Sequence, residues 1–185
     1  MAEPLDEVLE WYRTAVDALA ITEHAVLRAV PGAIVERHAS LHGETESAAM
    51  AKLAASRIGL AQVAVVALTA VFERILRDRL VGIAGTVVRG STDSEERLHA
   101  QVRSELADDI EFWNISSRVL GVFTVDGRLR ELVMQVINYR NWVAHGHSIA
   151  RPPPARIDPI AAHDRFSRFL IAAGFSEPAS SPTSG

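Results

Sequence analysis

Apolar positions recur every three to four residues along most of the chain, the period of helices with one face turned to a core. In residues 4–30, Leu5, Val8, Leu9, Tyr12, Val16, Leu19 and Val26 fall near one face. Asp6, Glu7 and Glu10 occupy the first turns, where the helix dipole favours acids, and Pro31 with Gly32 predicts the stop. Residues 33–42 read as one more helical stretch, closed by Gly43. From Thr45 the longest helical run is expected to reach about Leu80, with Gly82, Gly85 and Gly90 breaking it. Residues 90–93 form a capping loop, and two shorter helices are expected over 94–106 and 109–120.

Asp126–Gly127 is a turn signal, and residues 128–144 carry Leu129, Leu132, Val133, Val136 and Ile137 at helical spacing. Residues 151–154, RPPP, make a stiff extended connector. Asp158 then offers an N-cap, and Pro159 fits the first helical position. Ile160, Phe166, Phe169 and Leu170 supply the last helix with an apolar face. No stretch alternates as a strand would, and no internal repeat is visible. The expectation is an all-α bundle of about five to seven helices forming one domain over residues 1–175. A Ser/Pro-rich tail over 176–185 is expected to be disordered.

Residues 58–72, IGLAQVAVVALTAVF, are almost uncharged. They fall short of the roughly 20 apolar residues needed to span a bilayer. They run on into ERILRDRL, where Ile75, Leu76 and Leu80 keep helical spacing. This predicts the most buried helix of a bundle, without a membrane. Residues 1–13 hold four acids and lack the pattern of a signal peptide. A cytoplasmic location is the default expectation.

Composition changes the picture by exclusion. With 185 residues, 48% hydrophobic and 23% charged, the chain can bury a core unaided. No cysteine is present, which removes disulfides, thiolate metal sites and a cysteine nucleophile. A net charge of −4 argues against a general nucleic-acid coat. Yet residues 127–168 hold Arg128, Arg130, Arg140, Arg151, Arg156, Arg165 and Arg168 against Glu131, Asp158 and Asp164, a local excess of positive charge.

The informative stretch is residues 138–148, NYRNWVAHGHS. Five residues of helix turn through about 500°, leaving Arg140 and His145 roughly 140° apart, so a continuous helix would not bring them to one face. Gly146, however, is the residue type that ends helices in the left-handed conformation. His145 is then expected at the helix terminus, free to swing toward the groove that Arg140 faces. A fixed guanidinium beside a titratable imidazole suits phosphate chemistry.

RNWVAH at 140–145 resembles the R-x4-6-H motif of HEPN domains, in which a polar residue often follows the arginine, here Asn141. VALTAVFERILRDRL at 66–80 resembles the earlier core helix of bacterial stand-alone members. The resemblance implies a homodimeric, metal-independent endoribonuclease with two motifs facing across the subunit interface. The RNA 2′-hydroxyl would attack the adjacent phosphate, leaving a cyclic phosphate. His145 would be general acid or base, and Arg140 would stabilise phosphate charge. Asn141 would fix the phosphate or the helix end. A carboxylate of the core helix assists the motif in some relatives, which makes Glu73 the candidate. The resemblance also implies a toxin or defence effector with an antitoxin partner, and no cofactor or metal. One subgroup, paired with nucleotidyltransferase antitoxins, carries R-x4-H-x-Y. Here the tyrosine position holds His147, which weakens the case for that partner.

Plainer readings stand beside these. Arg140 could pair with Glu73 simply to join two helices, and His145 could be a C-cap bonded to terminal carbonyls. Trp142 reads as a core or interface aromatic. His145 with His147, and His38 with His42, lack a third ligand in a recognisable zinc pattern. Arg74–Asp78 is an i,i+4 surface pair. No G-x-S-x-G, P-loop or dinucleotide fingerprint is present. The alternative function is a non-catalytic domain of the same type that binds a nucleotide, RNA or a partner protein.

Overall fold

The computed structural model describes residues 3–28, 41, 43–87, 93–146 and 155–175. The helical stretch expected at 33–42, with His38 and His42, lies outside the described residues apart from Leu41, as do the stop at 31–32, residues 90–92 of the expected capping loop, His147, the 151–154 connector and the tail. Among the described residues six α-helices follow one another: α1 (Glu3–Leu27), α2 (Glu46–Val87), α3 (Asp93–Phe112), α4 (Leu120–Val122), α5 (Gly127–Ala144) and α6 (Pro159–Ala172). A π-type turn, Ile115–Val119, leads into α4. No strand occurs among the described residues, and the fold is an all-α bundle.

α2 is the axis against which α1, α3, α5 and α6 all pack. Val65, Leu68, Phe72 and Leu76 recur at three- and four-residue spacing along it and are fully buried. Phe72 stacks on Phe166 of α6 with ring centroids 4.2 Å apart and planes 12° from parallel. Phe169 closes the cluster edge-on to Phe72 at 5.5 Å. Leu5 of α1 and Val133, Val136 and Ile137 of α5 complete the same core. Thr69, the buried polar residue of this face, donates its hydroxyl to the Val65 carbonyl at 2.8 Å. A second, smaller cluster of Val26, Leu41, Ala49 and Leu53 joins the end of α1 to the start of α2.

Three local expectations differ from the structure. Gly82 and Gly85 do not break α2, which continues to Val87. Helix interiors tolerate glycine at a cost of about 1 kcal/mol, less than the contacts made by a helix packed on four others. The two helices expected over 94–120 are instead one helix, α3, whose break falls at Trp113–Asn114. Asn114 Oδ1 accepts from the Ser116 and Ser117 N–H groups, both at 3.0 Å, and so starts the π-type turn. Ile160, placed in the core from the sequence, is 51% exposed, and Pro159 and Ala162 take that face of α6 instead.

Within α2, residues 46–84 are long and apolar enough, by length and composition, to cross a membrane. The same residues include the buried core positions of the bundle.

Candidate functional site: a polar groove between α2 and α5

Asp126 starts α5 by accepting from the Leu129 N–H at 3.1 Å. Val133, Val136, Ile137 and Tyr139 then face the core, which fixes the rotation of the helix. With those positions inward, Arg140 is turned toward α2. At the far end His145 is the C-cap, its N–H donating to the Asn141 carbonyl at 3.0 Å. Gly146 follows at φ 74°, the left-handed closure expected from the sequence.

Arg140 enters a groove of about 380 Å³ between α2, α5 and the end of α3. α2 contributes Ala70, Glu73, Arg74, Arg77 and Asp78, the helical stripe beside its core face, and α3 contributes Glu111. Arg140 Nη1 donates to Asn141 Oδ1 at 3.0 Å. Arg140 Nη2 lies 4.0 Å from Glu73 Oε1, close enough for Coulomb attraction but too far for a hydrogen bond. Glu73 Oε1 is therefore buried with no protein group donating to it, and Arg140 Nε is buried with no acceptor. A buried polar group left unbonded costs about 1–3 kcal/mol. At 4.0 Å the two charges form a loose ion contact that joins α5 to α2, and no further group fits between them as they stand.

The structure thus brings together Arg140, Asn141 and Glu73. His145 is separate: its ring is exposed, lies outside the groove wall, and forms no hydrogen bond or ion pair with those three. Trp142 is partly buried, packs on the core and stacks on Tyr139 with centroids 6.0 Å apart.

Arg77 and Glu111 were not singled out as site residues in the sequence. Arg77 and Arg74 could have been, because they follow Glu73 on one helical stripe. Glu111 gives no such local signal. Both Arg77 terminal nitrogens donate to backbone, Nη1 to the Ile110 carbonyl and Nη2 to the Trp113 carbonyl at 2.8 Å. Arg74 is exposed and lies 3.7 Å from Asp78, the pair expected from the spacing. Among the described residues no cluster of three metal-ligating side chains occurs.

No family model matches the chain, and neither a curated protein nor a solved structure matches it significantly.

Proposed function

We propose that the chain is a HEPN-type, metal-independent endoribonuclease of the cytoplasm, acting as a homodimer on single-stranded RNA, as a toxin or defence effector held by an antitoxin. The observation that carries the reading is the polar groove lined by Arg140 and Glu73, with Asn141 bonded to Arg140 and His145 exposed one turn on. A phosphate is the kind of group a guanidinium binds, and Arg140 lines the groove. His145, which is exposed, would serve a substrate held across a two-fold interface.

In this mechanism Arg140 neutralises charge developing on the phosphate as the 2′-oxygen attacks. One His145 removes the 2′-hydroxyl proton or protonates the departing 5′-oxygen. The products are a 2′,3′-cyclic phosphate and a 5′-hydroxyl.

The test is cleavage of a labelled single-stranded RNA in EDTA by the wild type, Arg140→Ala and His145→Ala, each shown to be folded. Each substitution is expected to reduce cutting by about 10²–10⁴-fold, with cyclic-phosphate ends from the wild type. Equal cutting by all three would remove the site. One observation favours a second reading: Arg74, Arg77 and Arg140 are balanced in the groove by Glu73, Asp78 and Glu111. A neutral groove attracts a polyanion weakly, which suits a binding module that does not cut. Folded wild-type protein that neither binds nor cuts the RNA in the same experiment would select it.

A further inference from the structure

A second cleft, of about 290 Å³, opens where α1, α2 and α5 meet the chain entering α6. Ile58 and Ile157 give it apolar walls, and Tyr12 and Tyr139 add two aromatic rings. Two guanidiniums also border it. Arg57 Nη2 is held by Glu23 at 2.8 Å, but its Nε is buried and has no acceptor. Arg156 is exposed and forms no ion pair among the described residues. Asp158 completes the border, using Oδ1 to cap α6 through the Ile160 N–H at 2.8 Å. Nothing in the Arg140 groove requires these groups, and the two sites share no residue.

We propose that this cleft binds a small aromatic carboxylate whose ring carries a hydrogen-bond donor. The ring lies against the tyrosines and isoleucines, a surface that rewards a planar apolar body. The ligand carboxylate takes the exposed Arg156 guanidinium, which forms no ion pair among the described residues. The ring's donor reaches Asp158. Burial, then the Asp158 charge, hold the Tyr12 phenol above its ordinary pKa, against the opposing pull of Arg57. Tyr12 is therefore a neutral hydroxyl that can donate to the same carboxylate. The Asp158 charge beside the guanidiniums disfavours a dianionic phosphate. The cleft volume, at the small end for ligand sites, suits a single ring.

The test is calorimetric titration of the full chain with 4-hydroxyphenylacetate, phenylacetate and phenyl phosphate, repeated on Arg156→Ala and Tyr12→Phe. Arg156 is exposed and its removal leaves the core untouched, so that variant separates lost binding from lost folding. Saturable binding of 4-hydroxyphenylacetate is expected, weakened about tenfold by Arg156→Ala and several-fold by loss of the ligand hydroxyl. Absence of binding to the wild type would overturn the proposal. So would equal affinity in Arg156→Ala, equal affinity for phenylacetate, or tighter binding of phenyl phosphate. The result does not depend on RNA cutting.

Discussion

Arg77 and Arg74 stand three residues apart on α2, carry the same charge and do different work. Arg77 donates to the carbonyls of Ile110, which also accepts from the Trp113 N–H at 3.2 Å, and of Trp113, just beyond the end of α3. Replacing it with leucine is expected to cost about 2–3 kcal/mol, because two carbonyls lose charged donors at once. Urea denaturation measures this, and lysine should recover little, since an ammonium cannot fork across two acceptors. Arg74→Ala, removing an exposed pair with Asp78, should stay within about 0.5 kcal/mol of the wild type. A loss at Arg74 equal to that at Arg77 would show that the clamp contributes nothing particular. At this scale the sequence was informative where partners are near: Arg74 with Asp78, His145 with Gly146. The Arg140–Glu73 approach joins residues far apart in the chain, so spacing could only nominate Glu73.

At the scale of elements, helix starts were legible because they are written in one or two residues: Asp126 before α5, Asp158 with Pro159 before α6. Helix ends set by tertiary contact were not. The end of α3 depends on Asn114 and on Arg77 from another helix, which no local pattern reveals. Gly82 erred in the opposite direction, reading as a stop although it lies inside α2. Its position gives a direct test. A Cβ built there meets nothing within 4 Å, and its φ is not in the left-handed region. Gly82→Ala is therefore expected to stabilise the protein by about 0.5–1 kcal/mol, raising the thermal midpoint, through the lower backbone freedom of the unfolded chain. A neutral or lower midpoint would mean that this part of α2 is not helical in solution.

Over the whole molecule, α2 carries Glu73 of the groove, Arg57 of the second cleft and Phe72 of the core, while the chain entering α6 supplies Arg156 and Asp158. The Phe72–Phe166–Phe169 cluster is what binds α2 to α6. The period of apolar positions made this core legible, but not which faces would leave clefts between them, since a cleft is a failure of two surfaces to meet. Phe166→Ala should cost about 3–5 kcal/mol, a large part of the stability of a domain this size. Phe166→Leu, which keeps most of the volume, should cost less. Because none of the three phenylalanines lines either proposed site, both variants should bind 4-hydroxyphenylacetate and cut RNA in proportion to the fraction folded. His145→Ala should do the reverse, losing the cutting while its denaturation midpoint and its aromatic binding stay unchanged, as its ring is exposed and unbonded. If Phe166→Leu instead lost one activity selectively while still folded, packing between α2 and α6 would be setting the geometry of that site.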